Sequence, residues 1–329
     1  MDGIDFSSVV VARDEVVSMN KVVVCIKRFR IKMLCNWCSS YQLCKEWCNM
    51  CTDPDTFIWN NIEITWSSEN IDYYVIINSP PPGEYYDPKR TIVFQMEPWV
   101  YDPSKNWGVK TWGEWAEPNP SKFLYVIGRK TNEYNNAFWQ LELKLSDLNR
   151  SELFKKTEGD KISSIVSSKY FDEGHIARID FLKFIESMGE LLVDIYNEDN
   201  KYLFTNYTGK VMPYIDKSNG LKQYKYYFMV ENNYEKNFIT EKLWEPILCE
   251  ALVFYYGCPN VSEYIDPMAF VQLDITNFEK SHQMIKRAIE EDWWSQRIDI
   301  IRREKQKILN ELGFFPRISK IINNASINQ

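Results

Sequence analysis

Residues 226–270, YYFMVENNYEKNFITEKLWEPILCEALVFYYGCPNVSEYIDPMAF, combine residue types and spacing that point to chemistry. An apolar run ends in Glu231-Asn232-Asn233, a polar loop follows, and a helical pattern opens near Thr240 with Glu241 and Lys242 in its first turn. A helix that starts at the carboxyl edge of a sheet offers unpaired backbone N–H groups and a positive dipole end to an anion such as a diphosphate. A lysine in a first turn opposes that dipole at a cost of about 0.3 kcal/mol, and a bound phosphate reverses the sign. Lys242 is therefore a candidate phosphate ligand, although a lone lysine beside an acid reads equally well as a solvated surface residue.

Scarcity and charge exclude other chemistries. His175 and His282 are the only histidines, too few for a His-rich zinc or iron site or a His-dependent triad. Cys35, Cys38, Cys44, Cys48 and Cys51 form one run with a CxxC pair at each end. Zinc would require four converging thiolates; the reading preferred here is a loop followed by a helix, with Leu43 and Trp47 one turn apart and reduced cysteines packed as small hydrophobes. Asp53-Pro54-Asp55 reads as a turn and not as a metal site, and no metal is expected. No Gly-x-Gly-x-x-Gly follows a strand, which disfavours a dinucleotide-dependent oxidoreductase. With 39 Lys plus Arg against 46 Asp plus Glu, the chain has a net charge of −7 and no broad basic face for nucleic acid. Any phosphate must be held by a few placed cations. Aromatic residues make up 15%, with 12 Trp and 20 Tyr; they suit a cleft for flat, partly polar ligands such as sugars, or reflect a biased genome.

The elements that must position these residues follow from hydrophobic patterning. Residues 30–35, 72–78, 91–96 and 123–128 are apolar runs of strand length, which predicts a parallel sheet covered on both faces in a Rossmann-like α/β domain. Polar, lysine-rich residues 155–161 break the pattern, dividing the chain into an N-terminal domain, 1–155, and a C-terminal domain, 156–329. The second series predicts a strand at 162–167, a helix at 177–195, a strand at 226–230, a helix at 240–251, and strands at 252–256 and 270–273. A long helix or helix pair follows at 278–312, with Gly313 and Pro316 as its stop. The same grammar in both halves predicts two Rossmann-like domains facing each other across a cleft. Residues 1–20 lack the pattern of a signal peptide, and no uncharged apolar run approaches the length of a membrane span. A soluble, cytoplasmic protein is the expectation.

Four blocks, Val230-Glu231-Asn232-Asn233, the NFITEK run from Asn237 to Lys242, Tyr256-Gly257-Cys258-Pro259-Asn260 and Asp266-Pro267-Met268-Ala269-Phe270, occur in an order that resembles the donor-binding signature of the α-1,3-fucosyltransferase family, glycosyltransferase family ten. Residues 162–178, ISSIVSSKYFDEGHIAR, are similar to that family's strand, polar loop and helix-opening arginine, making Arg178 the counterpart of its donor-phosphate arginine. Residues 92–98, IVFQMEP, resemble the strand that ends in its catalytic glutamate, which falls on Glu97. The likeness spans most of residues 32–312 and is densest in the second half.

The resemblance implies a GT-B-like fold and transfer of a sugar from a nucleotide diphosphate, most simply L-fucose from GDP-fucose, to a hydroxyl of a glycan acceptor with inversion. It implies no cofactor and no essential metal. Glu97 is then the general base, which needs desolvation to raise its pKa. Arg178 and Lys242 neutralise the leaving diphosphate, Glu231 and Glu241 bind donor hydroxyls, and Asn232 supports them. Loops 36–40, 80–87 and 99–115, rich in Trp and Tyr, shape the acceptor side. Three departures stand out. Phe238 replaces the family's tyrosine three residues before the Glu-Lys pair, Pro98 follows Glu97 directly, and the membrane anchor of animal members is absent, which points to a soluble microbial or viral type. Phe238 keeps open a different nucleotide-sugar donor. A non-catalytic glycan-binding protein on a degenerate transferase fold is a further alternative, against which the joint presence of Glu97, Arg178, Glu241 and Lys242 speaks.

Overall fold

The computed structural model describes residues 16–19, 22–25, 27–99, 109–128, 131–133, 138–210, 212 and 217–327. Most of the N-terminal stretch 1–20 and residues 100–108 of the aromatic 99–115 loop lie outside them. Strands β1 (Val16–Met19) and β2 (Val22–Cys25) form an antiparallel ribbon. The first large sheet is built from β3 (Phe29–Cys35), β4 (Ile58–Trp59), β5 (Ile62–Thr65), β6 (Tyr73–Ile77), β7 (Thr91–Phe94) and β8 (Tyr125–Ile127), in the order β4-β5-β3-β6-β7-β8. Only the short edge strand β4 runs antiparallel to its neighbour. β6 and β7 are buried along their whole length, as strands covered on both faces must be. Helix α1 (Ser40–Trp47) packs beside β3 through Leu43, Cys44 and Trp47, capped by Ser39, whose Oγ accepts from the Gln42 N–H at 3.2 Å.

After the one-turn helix α2 (Leu145–Leu148) the second sheet begins with β9 (Ile162–Ile165) and α3 (Glu173–Met188). It continues through β10 (Val193–Tyr196), β11 (Tyr226–Val230), α4 (Glu241–Leu248), β12 (Leu252–Tyr256) and β13 (Phe270–Gln272). The order β10-β9-β11-β12-β13 is wholly parallel. Leaving aside β4, each sheet places its second parallel strand outside its first and the third on the other side. This is the doubly wound pattern whose switch point, between β3 and β6 in one sheet and β9 and β11 in the other, opens a crevice at the carboxyl ends. The two carboxyl edges face each other. Trp99 and Asn132, which follow β7 and β8, donate to and accept from Glu235 and Asn237, which follow β11: Trp99 N to Glu235 Oε2 is 2.9 Å, and Asn237 Nδ2 to Asn132 Oδ1 is 3.0 Å.

Helices α5 (Phe278–Glu290), α6 (Trp293–Lys307) and α7 (Phe314–Ile327) close the chain. Two sequence expectations are corrected here. The helix expected at 177–195 is α3 followed by β10. Gly189 adopts the left-handed conformation (φ 67°) and returns its N–H to the Ile185 carbonyl, ending the helix. Met188 and Leu192, which continue the helical spacing of Ile179, Leu182 and Ile185, are 42% and 68% exposed, while Val193 and Ile195 are buried as strand residues. Gly313 ends the helical stretch at Leu312 as expected, its extended backbone (ψ 170°) breaking the turn, but Pro316 is not a stop. A π-helical turn, Ile308–Leu312, leads through Gly313 into α7, where Pro316 sits in the first turn and its missing N–H costs nothing. The short strands β4 and β5 were not expected, since four residues of Ile-Glu-Ile-Thr carry too little periodicity to stand out.

Candidate active site at the facing carboxyl edges

Glu231 follows the last residue of β11, and its carboxylate is buried. Oε1 accepts from the Thr240 N–H at 2.9 Å, Oε2 from the Thr240 hydroxyl at 2.7 Å, and the Tyr255 hydroxyl lies 3.3 Å from Oε1. Thr240 is in turn the N-cap of α4, its Oγ1 accepting from the Lys242 N–H. Both Glu231 oxygens are therefore spent inside the protein, anchoring the start of α4 to the end of β11. Burial raises the Glu231 carboxyl above its ordinary value, against the pull of Lys242. Two glycines make room. A Cβ on Gly174 of α3 would lie 1.7 Å from the Glu231 carbonyl oxygen, and one on Gly257 would lie 2.4 Å from Glu231 Cγ.

Lys242 and Glu241 form the rim of this anchor. Lys242 Nζ is 2.9 Å from Glu241 Oε1 and 3.9 Å from Glu231 Oε2. Burial pushes the Glu241 carboxyl up, but Lys242 and Lys217 outweigh it and hold the group at about 2. Arg178, on α3, is buried beneath them. Its Nη2 donates to the Val230 carbonyl at 2.8 Å and to Asn232 Oδ1 at 2.7 Å, and its Nε to the Gly174 carbonyl at 3.2 Å. Burial lowers its pKa to about 10, which leaves it charged at neutral pH. Asn232 is thus held by Arg178 through its side chain and by the Gly174 N–H through its carbonyl. The loop that follows is pinned by Asn260: Asn237, at φ 63°, donates its N–H to Asn260 Oδ1 at 2.9 Å and accepts from Asn260 Nδ2 at 2.7 Å. Phe238 is buried.

Glu97 enters from the other sheet, past the end of β7. Two buried amides fix its backbone. Asn78, at φ 65° after β6, accepts from the Met96 N–H at 2.9 Å; Gln95 accepts from the Glu97 N–H at 3.0 Å and donates to the Trp115 carbonyl at 2.8 Å. Burial pushes the Glu97 carboxyl above its ordinary value. Lys242 opposes the rise most strongly, Glu241 adds to it, and Lys169 and Asp172 exert smaller, opposite pulls. The residue is nonetheless exposed to solvent. Lys242, Glu241, Lys169 and Asp172 all belong to the second half of the chain, so Glu97 faces the edge that carries them, within electrostatic reach of Lys242.

The structure therefore sets Glu241, Lys242 and the Glu231 anchor together at one carboxyl edge, with Arg178 bonded to Asn232 behind them and Glu97 on the facing edge. Sequence reasoning missed several neighbours. Lys217 lies 3.2 Å from Glu245 Oε2 and 3.9 Å from Glu241 Oε1, and Glu245 Oε1 accepts from the Gln140 N–H at 2.6 Å. Burial pushes the Glu245 carboxyl up to about 7 in spite of Lys217. Lys217 and Gln140 come from irregular stretches without periodicity, whereas Glu245, one turn after Glu241 on α4, carried a helical spacing signal. Lys169, exposed just past β9, stood in the motif-bearing run 162–178. Among the described residues no group of three or more His, Cys, Asp or Glu is arranged to hold a metal. Cys44 and Cys51 are buried in the core, burial raises both thiols, Cys44 to about 12, and such thiols remain protonated. Asp53 accepts from the Asp55 N–H and the Thr56 hydroxyl, a closed turn.

Comparison with known proteins matches residues 158–290 to the C-terminal domain of glycosyltransferase family 10 (fucosyltransferase). The match covers residues 158–290 and leaves the first sheet outside it. The family domain contains Arg178, Glu231, Asn232, Glu241 and Lys242. Curated relatives include GDP-fucose protein O-fucosyltransferase 3 of Danio rerio, 35% identical over 75 residues, which is 22% of this chain and 16% of that protein. The α-(1,3)-fucosyltransferase FucT of Helicobacter pylori is 31% identical over 72 residues, 22% of this chain and 15% of that one. The matched stretches thus span about a sixth of these relatives. Among solved structures, an α-glucosyltransferase in complex with UDP and a 13-mer DNA aligns over 90% of this chain and 100% of its own, with a TM-score of 0.55 and 11% identity. An α1,3-fucosyltransferase with GDP-fucose aligns over 92% and 95%, with a TM-score of 0.50 and 16% identity. The chain shares the GT-B architecture with them, and no helix among its described residues is long and apolar enough to cross a membrane.

Proposed function

We propose that this chain moves L-fucose from GDP-fucose to a hydroxyl of a glycan acceptor, with inversion at the anomeric carbon and without a metal or other cofactor. The observation that carries the reading is a carboxylate raised by desolvation, Glu97, whose strongest charge partner is Lys242 at the start of α4, across the facing edges of two doubly wound sheets. The family domain and the two curated fucosyltransferase relatives support the donor.

In this mechanism the domain of residues 156–329 binds the donor and that of residues 1–155 the acceptor. The acceptor hydroxyl attacks the anomeric carbon while Glu97 takes its proton, and the bond from that carbon to the diphosphate oxygen breaks with its electron pair leaving on the diphosphate. Lys242 and the N–H groups at the start of α4 meet that charge at the rim, and Arg178 adds its field from below. Glu241, ionised at neutral pH, accepts hydroxyls of the donor. Glu231 acts through Thr240 as the anchor of α4, a narrower role than the hydroxyl ligand expected from the sequence. Gln95 and Asn78 keep the Glu97 backbone in place.

A second reading, transfer of a different sugar, is favoured by Phe238, whose buried ring supplies no hydroxyl where the family resemblance places a tyrosine. One experiment addresses both. Thermal shift and turnover are measured with GDP-fucose, GDP-mannose, UDP-glucose and GDP, with and without EDTA, for the wild type and Lys242→Ala. A rise in Tm with GDP and GDP-fucose, at least tenfold weaker binding in Lys242→Ala, and turnover that survives EDTA are expected. A rise with UDP-glucose alone moves the chain to the second reading. Absence of any nucleotide-dependent rise removes the transferase assignment.

A further inference from the structure

On the α5 side of the second sheet lies a cavity of about 590 Å³ that the transfer mechanism does not use. Its floor is the carboxyl end of β12 and β13, its wall the start of α5, and its rim Tyr234, from the loop between β11 and α4. Tyr234 is 53% exposed and stacks on Tyr256, with ring centroids 5.2 Å apart and planes 25° from parallel. Exposing a tyrosine ring in this way gains nothing for folding. A stacked pair with one open face offers a flat apolar platform with hydroxyls at its edge, against which the C–H face of a pyranose packs.

The polar groups around the platform suit hydroxyls better than charge. Gln272, Asp274, Thr276 and Lys280 supply amide, carboxylate, hydroxyl and ammonium groups. Lys280, the one cation among the described lining residues, stands 3.8 Å from Asp274 Oδ2, so the cavity has no net positive charge to hold a phosphate. Its volume lies in the range of ordinary small-ligand sites. It also lies one residue along the chain from a contact between the two facing edges. The residue after Tyr234 is Glu235, whose Oε2 accepts from the Trp99 N–H, two residues beyond Glu97.

We propose that this cavity is a neutral-saccharide subsite, with Tyr234 as its stacking platform, that takes a further sugar unit of the acceptor glycan. The word acceptor rests on the transfer reading; the binding of sugar does not. Saturation-transfer-difference NMR on the full chain, with methyl β-galactoside, lactose and the neutral tetrasaccharide lacto-N-tetraose as probes, tests the binding. Saturation on ring protons of lactose or the tetrasaccharide is expected. It persists when GDP is added, falls about fivefold or more in Tyr234→Ala and is kept in Tyr234→Phe, while GDP affinity stays unchanged in both variants. The proposal is overturned if none of the probes receives saturation, if Tyr234→Ala leaves the signal intact, or if GDP displaces the sugar and so claims the cavity for the donor. Turnover separates the two readings. A variant that raises KM for extended acceptors but not for a monosaccharide acceptor supports the subsite, and equal effects on both overturn it. A chain that turns over no donor yet keeps the Tyr234-dependent signal loses the transfer reading and retains the sugar site.

Discussion

Glu97 and Lys242 come from different sheets, and the charge of one acts on the other. Burial raises the Glu97 carboxyl while Lys242 pulls it down. In the proposed mechanism Glu97 is the general base and must be ionised, so the acidic limb of activity is expected above the ordinary carboxylate range, activity falling as pH drops through the raised pKa. A bound diphosphate brings negative charge to Lys242 and weakens its pull. The limb in kcat, which reports the complex, should therefore stand at higher pH than the limb in kcat/KM, which reports the free enzyme. Glu97→Gln should abolish the limb and lower kcat about a hundredfold. A variant that retains the limb would assign the base elsewhere. At this scale the order of the motifs that hold Glu97, Arg178, Glu241 and Lys242 was legible in the sequence. The division of labour was not. Glu231 looks like a ligand in the chain of letters, and only its hydrogen bonds to Thr240 turn it into an anchor.

At the scale of elements, the site depends on how closely α3 approaches the end of β11. Gly174→Ala would place a methyl 1.7 Å from the Glu231 carbonyl oxygen, against backbone that cannot swing away, and should cost about 2 kcal/mol or more while weakening GDP binding. Gly189→Ala is the control. That glycine needs its positive φ but has nothing within 4 Å, so it should cost about 1 kcal/mol and leave GDP binding unchanged. Denaturant melts and GDP titrations of the two variants distinguish steric from conformational need; equal GDP affinity in both would mean that the α3 contact does not shape the site. Most strands could be read from their apolar runs, since parallel strands buried on both faces leave an uninterrupted signal. The boundary between α3 and β10 could not. Residues 177–195 keep a helical spacing of apolar side chains, and the left-handed Gly189 decides where the spacing ends.

Across the whole molecule, α7 returns to the first sheet. Phe314 packs edge-on against Trp47, with centroids 4.7 Å apart, and 5.3 Å from Phe94, while Phe315 stacks on Trp59 at 5.8 Å. The last helix thus completes the core of the sheet that carries Glu97. Phe314→Ala should destabilise the protein by about 3 kcal/mol or more in urea titration; a loss below about 1 kcal/mol would make α7 an appendage. The amino-acid sequence determined the two αβ halves and the order of the motifs along them, because periodicity, residue type and short-range spacing are local properties of the chain. Tertiary structure alone decided that Glu97 faces the edge that carries Lys242, that Glu231 faces inward, that Tyr234 and Tyr256 stack, and that α7 crosses back. Each of these joins residues far apart in the chain, and such pairings are set by packing and burial that no local pattern encodes.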